Sequence, residues 1–277
     1  LLVMKFFLYN FILILLLPLI ISRLIIRSLK DRDYIKNISN RFGIYENETV
    51  SNPVWFHAVS LGEVISSETL IKKILNDNKV VLSVSTPTGY RQAKKIFGNS
   101  LQIVYAPWDI YFFVKNFLKK FNPKALIIFE TEIWPSMIKA SSAKKIPIFL
   151  TNARLSQESN SKYSNIKFFV KEVVELFTLV LAQTNKHYDR FVSLGIDKDK
   201  IKIVGSIKFD KDNIMFIFVK VSKKKKNQLK LMKPNYTKTQ RDKLYIYKAR
   251  RALYAIYNNF LEQPIDDFNL TKSQEVI

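Results

Sequence analysis

From Val54 onward the sequence repeats one pattern, a short apolar run followed by a stretch of helical spacing. The runs are 54–59, 80–85, 101–106, 125–129, 146–151, 179–182 and 201–204. Between them, helical spacing covers 63–75, 89–97, 110–121, 134–141, 164–176 and 186–194. Few arrangements satisfy this. Runs that are apolar throughout, rather than at alternate positions, belong to strands covered on both faces. Strands alternating with helices give a parallel sheet wrapped by helices on both sides. The fold class expected is therefore α/β, with one Rossmann-like parallel-sheet domain over residues 50–210, a normal domain size.

In such a sheet the chemistry gathers where strands end and helices begin. The first run leads into His57-Ala58-Val59-Ser60-Leu61-Gly62-Glu63-Val64, a strand, a tight turn and a helix with a carboxylate in its first turn. Ser60-x-x-Glu63 is also a capping box, in which the serine oxygen takes the third amide and the glutamate reaches back to the first. A negative charge there complements the helix dipole. Spacing alone favours capping over catalysis.

The other strand ends are polar too. Ser85-Thr86-Pro87-Thr88-Gly89 offers hydroxyls and free amides to an anion, although a Pro-Gly turn with a threonine cap explains it more simply. Asp109 reads as an N-cap. Phe129-Glu130-Thr131-Glu132-Ile133-Trp134-Pro135 carries two carboxylates one residue apart. In an extended segment Glu130 and Glu132 point the same way, and one of them can cap the next helix. Asn152-Ala153-Arg154-Leu155-Ser156 sets a cation near those acids, and Gly205-Ser206-Ile207-Lys208-Phe209-Asp210 closes the last run. Lys208 is either a solvated lysine or an anion clamp. There is no G-x-G-x-x-G after the first strand and no G-x-x-x-x-G-K-[ST], so this domain does not read as the one that grips a nucleotide.

Composition narrows the partners. The 277 residues contain no cysteine and two histidines, which argues against disulfides, thiolate zinc sites and a metal centre. A net charge of +22 points to an anionic partner such as nucleic acid, an acidic membrane or a phosphorylated lipid, though an AT-rich genome also enriches lysine. Residues 6–22 are almost all apolar, and Arg23, Arg27, Lys30 and Arg32 follow them. That order is the reverse of a signal peptide. It predicts a single uncleaved anchor over 4–30 with the rest of the chain in the cytoplasm. The alternative is an apolar helix lying on the membrane or packed on the domain. Residues 31–49 read as a polar linker helix with an Arg41-Phe42-Gly43 turn.

Taken in order, the anchor, HAVSLGE, STPTG, FETEIWP, NARLS and GSIKFD resemble the 3-deoxy-D-manno-octulosonic acid (Kdo) transferases of lipopolysaccharide assembly. Each motif alone is weak; six in order over residues 6–210 are specific. The resemblance implies a membrane-anchored inverting glycosyltransferase with two Rossmann-like domains, the GT-B arrangement. It implies CMP-Kdo as donor, a lipid A precursor (lipid IVA) as acceptor, no cofactor and no metal. The site would be single-pass anchored at the cytoplasmic side of the inner membrane. It further implies Glu63 as proton acceptor and Glu130 and Lys208 as stabilisers of the transition state. Ser60, Gly62, Thr88, Glu132 and Arg154 are implied to bind substrate.

After Asp210 the pattern changes. Residues 211–251 hold fourteen Lys or Arg against Asp212 and Asp242, and no glycine follows Gly205. The family's second domain, which carries the CMP site, is not legible there. Residues 211–277 read as a basic, poorly ordered tail outside the family, as a truncated gene, a frameshift or a fusion scar would leave. The expectation is that this chain alone is inactive. Two other readings stay open: a non-catalytic anchored binder of phosphorylated lipid, and a nucleic-acid binder acting through the tail. No nucleic-acid partner is expected, because Tyr236, Tyr245 and Tyr247 belong to no recognised binding module.

Overall fold

The computed structural model describes residues 2–46 and 50–207. An apolar helix α1 (Leu2–Ser28) comes first, followed by two short 3-10 helices, Arg32–Tyr34 and Ile38–Phe42. The α/β repeat then runs β1 (Val54–His57), α2 (Leu61–Leu75), β2 (Val80–Val84), α3 (Pro87–Phe97) and β3 (Gln102–Tyr105). It continues α4 (Tyr111–Phe121), β4 (Ala125–Phe129), α5 (Pro135–Ala143) and β5 (Ile148–Ala153). It closes with α6 (Gln157–Ser164), α7 (Lys167–Val174), β6 (Leu179–Ala182), α8 (Asn185–Leu194) and β7 (Ile201–Ile203).

All seven strands join one parallel sheet in the order β3-β2-β1-β4-β5-β6-β7. Each apolar run is thus a strand, and β1, β2, β4, β5 and β6 are buried along their whole length. Alternate residues feed two cores. Trp55, Leu126, Ile148 and Val180 pack with Phe117, Met137, Val173 and Phe191 on one face. Val54, Phe56, Leu82, Ile127 and Phe149 pack with Val64, Leu70, Ala93 and Phe97 on the other. Each fully buried side chain of this kind contributes about 1.5–3 kcal/mol. The chain winds outward from β1 to β3, then crosses back to β4 on the other side of β1. The topological switch point is therefore between β1 and β4, where ligands bind in open α/β sheets.

Residues 31–49 are expected as a linker helix; of these, the described residues 31–46 contain the two 3-10 helices and dock on the sheet edge. The Tyr45 hydroxyl donates to the Tyr105 carbonyl at 3.1 Å, and Asn40 Oδ1 accepts from the Tyr105 amide at 3.3 Å. Arg41 is buried, 4.5 Å over the Tyr105 ring, and donates to the Ser85 carbonyl. The polar composition that suggests a linker is spent on these contacts. Gly43 closes the turn at φ +75°, and a Cβ there would lie 2.2 Å from the Phe113 carbonyl oxygen.

Asp109, which its spacing predicts as the N-cap of the helix that follows it, does not cap that helix. Instead Ile110 holds that N-cap without a side-chain bond, and Asp109 caps α5 by accepting from the amides of Ser136 (3.0 Å) and Met137 (2.7 Å). The first amide of α4, at Tyr111, is met by Asn10 Oδ1 of α1 at 2.7 Å. Sequence spacing carries no information about a cap supplied from a hundred residues away. Helix α6, but for its last residue, lies outside the stretches of helical spacing in the sequence, because its residues offer no apolar period.

Gly43→Ala is expected to destabilise the fold by at least about 2 kcal/mol, since the left-handed φ is costly for an L-residue and the added methyl meets backbone. Thermal or urea unfolding of the chain measures it.

Candidate active site

At the carboxyl end of β1 the chain turns at Ser60, which caps α2. Ser60 Oγ lies 3.4 Å from the Glu63 amide and 2.8 Å from Glu63 Oε1, to which it donates. Glu63 Oε2 accepts from the Val59 amide at 2.8 Å. The capping box therefore forms, with one difference: Glu63 reaches the residue before the N-cap rather than the N-cap itself. Both carboxylate oxygens are thereby fixed. Glu63 is buried, and burial pushes its pKa up to about 7. Its two hydrogen bonds oppose that rise, and the charges of Glu132 and Glu130 add to it.

Glu130 follows β4 directly, with φ +67°. Its amide donates to the Thr151 carbonyl of β5 at 2.9 Å. The segment is therefore not extended, as the spacing argument assumed; a left-handed residue bends it. Glu132 still ends beside Glu63, held by the Trp134 indole, which donates to Glu132 Oε2 at 2.6 Å. Burial, together with the Glu130 charge, raises the Glu132 pKa. Neither acid caps α5, because Asp109 does. Three carboxylates thus share the edge of the sheet at the β1/β4 switch point.

Two further residues, His57 and Asn152, complete this rim. His57 is fully buried, with Nδ1 2.8 Å from Ser83 Oγ, to which the Trp55 indole also donates at 2.7 Å. Burial lowers its pKa to about 3, so it stays neutral, and its ring meets Trp134 edge-on at 4.9 Å. His57 therefore buttresses the indole that holds Glu132. A signal for it existed: His57 and Ser83 are polar residues in wholly buried runs, and they are direct register partners. Asn152, at φ +52° beside a register shift in β5, accepts from the Ile207 amide at 2.9 Å.

The remaining expected residues are placed as follows. Thr86 caps α3 by accepting from the Gly89 amide at 3.1 Å, as the simpler reading of STPTG has it, and Thr88 is exposed in the first turn. A Cβ on Gly89 would come 3.3 Å from the Ser60 carbonyl carbon, so α3 starts hard against the Ser60 turn. Around Gly62 nothing lies within 4 Å of an added Cβ. Arg154 is exposed after β5, and its carbonyl accepts from the Thr131 hydroxyl. Its charge helps lower the His187 pKa, behind burial and alongside Arg190. Lys208 lies outside the described residues, one position beyond Ile207. No group of three or more His, Cys, Asp or Glu fit to hold a metal occurs among the described residues.

The family described as 3-deoxy-D-manno-octulosonic-acid transferase (kdotransferase) matches residues 36–211. The chain belongs to the Kdo transferase family. A Kdo transferase of Haemophilus influenzae is 32% identical over 263 residues, covering 92% of this chain and 61% of that protein. A Kdo transferase of Bordetella pertussis is 30% identical over 176 residues, covering 61% of this chain and 41% of its own length. A bifunctional glycosyltransferase/methyltransferase of Fusobacterium nucleatum is 33% identical over 178 residues, covering 63% of this chain and 27% of that protein. The chain thus spans less than two thirds of each of these curated relatives.

The folded-state pKa of Glu63 exceeds its ordinary value of 4.5, so the folded chain holds this proton more tightly. Stability attributable to Glu63 is therefore intact below about pH 4.5 and lost as pH rises through about 7. Glu63→Gln is expected to unfold later than the native chain at pH 8.5, by up to about 3 kcal/mol, and to match it near pH 4. Thermal melts at both pH values check this.

Proposed function

We propose that this chain carries the acceptor-side residues of an inverting Kdo transfer from CMP-Kdo to a lipid A precursor such as lipid IVA. The observation that carries this reading is Glu63, doubly hydrogen-bonded at the switch point with a pKa of about 7. A base with that pKa is ionised often enough at neutral pH and still holds a proton well. The acceptor sugar's hydroxyl oxygen attacks the anomeric carbon of Kdo, its proton passes to Glu63, and the bond to the CMP phosphate oxygen breaks. Glu130 stands close enough to influence Glu63 electrostatically and favours the cationic character of the sugar in transit. Lys208 balances charge on the departing phosphate. Ser60 orients Glu63, while Glu132, Gly62, Thr88 and Arg154 line the way in for the acceptor.

The described domain is, in this reading, the acceptor half of a GT-B enzyme. The nucleotide of the donor is held outside residues 2–207, which contain no glycine-rich phosphate loop. The apolar helix α1 supports attachment to the inner membrane, and in this reading the site faces the cytoplasm, where basic residues suit a phosphorylated acceptor among acidic lipids.

The test uses the chain in membranes and a chimera in which residues 1–210 replace the corresponding part of the Haemophilus relative. Both receive CMP-Kdo and lipid IVA, and the product is followed by mass. The chimera is expected to transfer Kdo and the 277-residue chain alone to do so negligibly. Glu63→Ala is expected to cut transfer by about 100- to 10,000-fold, and undiminished transfer contradicts the assignment. Gly62→Ala makes the complementary case. The open space at Gly62 predicts unchanged or slightly raised stability, because alanine favours a helix by about 1 kcal/mol. Transfer is expected to fall as the methyl enters the space beside Glu63, and full activity in this variant removes Gly62 from the site.

A further inference from the structure

Helix α1 is long and apolar enough to cross a bilayer, with mean hydropathy 2.3 over its best window. Its contacts do not suit crossing. Near its amino end, the Tyr9 hydroxyl donates to Asp109 Oδ2 at 2.7 Å, and Asn10 Oδ1 accepts from the Tyr111 amide at 2.7 Å. The Ser136 hydroxyl reaches Asn10 Oδ1 at 3.3 Å, and the Phe6 ring meets Tyr111 edge-on at 5.5 Å. Asp109 is the cap of α5, so α1 is bonded into the starts of both α4 and α5. At the other end, Arg27 lies 5.5 Å over the Tyr34 ring, and Ser28 is buried. Residues 5, 6, 9, 10, 13, 17, 20, 21 and 24 are all half-buried and recur at helical spacing on one stripe.

Tyr9 and Ser28 are about 28 Å apart along the helix at 1.5 Å per residue, close to the full hydrocarbon thickness of about 30 Å. A crossing helix would put Tyr9 and Asn10 at the far side of the membrane from the domain they are bonded to. We infer that α1 lies in the plane of one leaflet, clipped to the domain by Tyr9 and Asn10, and does not cross. The inference rests on the reading that α1 meets a membrane.

The surface that results fits a lipid leaflet. Phe7, Leu8, Phe11, Ile12, Ile14, Leu15, Leu19, Ile25 and Ile26 face away from the domain and are exposed. Phe112 of α4 and Phe168 of α7 are exposed as well. Cations stand over aromatic rings beside this face: Lys5 over Phe168 at 4.2 Å and Lys115 over Tyr111 at 5.9 Å. Aromatic rings and basic side chains collect at the headgroup level, where acidic lipids attract the charge. A helix apolar on all sides is expected when the sheet domain covers one side and hydrocarbon the other.

The absence of native cysteine makes the test clean. The full chain is expressed in a Gram-negative host as Lys5→Cys and, separately, as the pair Asn10→Cys and Ser136→Cys. A membrane-impermeant maleimide is applied to intact spheroplasts and to inverted vesicles, and the pair is oxidised in membranes. The result expected is membrane-bound chain, no labelling of Lys5→Cys from outside, and an intrachain disulfide in the pair. Labelling from outside overturns the in-plane placement while leaving membrane attachment standing. Absence of the disulfide overturns the clip whatever the labelling. Chain recovered wholly in the soluble fraction overturns the membrane reading itself.

Discussion

Two hydrogen bonds onto one carboxylate organise the rim of this domain. The Val59 amide and the Ser60 hydroxyl hold both oxygens of Glu63 at the end of β1. The price is a buried acid beside two others, which burial and like charge push toward neutrality. An ordinary helix cap exposed to water has no reason to carry that penalty. The same interaction that begins α2 therefore also holds a carboxyl group whose pKa burial raises to about 7. Capping and catalysis, competing explanations from spacing, are compatible in the folded chain.

The sheet was legible because its strands are apolar on both faces, a pattern that leaves few alternatives. The placing of the candidate residues was legible in outline for a related reason: polar residues that interrupt such runs, or end them, sit at the carboxyl edge. What stayed hidden depends on distance in sequence. Asp109 looks like a local cap and serves α5 instead, and Asn10 caps α4 from within an apolar helix. Glu130 and Glu132 come to the site through a left-handed bend, which no spacing rule for strands includes. The buttress from His57 through Trp134 to Glu132 crosses three segments and needs the sheet register to be seen. The basic segment 211–277 and Lys208 lie outside the described residues, and the Haemophilus match, at 92% of the chain, extends past residue 211.

Fold and attachment are linked through the same edge. The turn that carries Asp109 joins β3 to α4, and α1 reaches it with a tyrosine hydroxyl while Glu130 and Glu132 precede the helix that Asp109 caps. Through Asp109, α1 is hydrogen-bonded to the start of α5, three residues after Glu132. Helix α1 therefore lies beside the carboxyl ends of the strands, close to the candidate site and on the side where its apolar face is exposed.

The most direct measurement is the titration of Glu63 itself, followed by carboxyl-carbon NMR with glutamate labelled and the signal assigned by Glu63→Gln. A midpoint near 7 that falls when Glu132 is replaced by glutamine is the result predicted by three acids sharing one rim. A midpoint in the ordinary carboxylate range, indifferent to Glu132 and Glu130, would show that Glu63 is a solvated cap and nothing more.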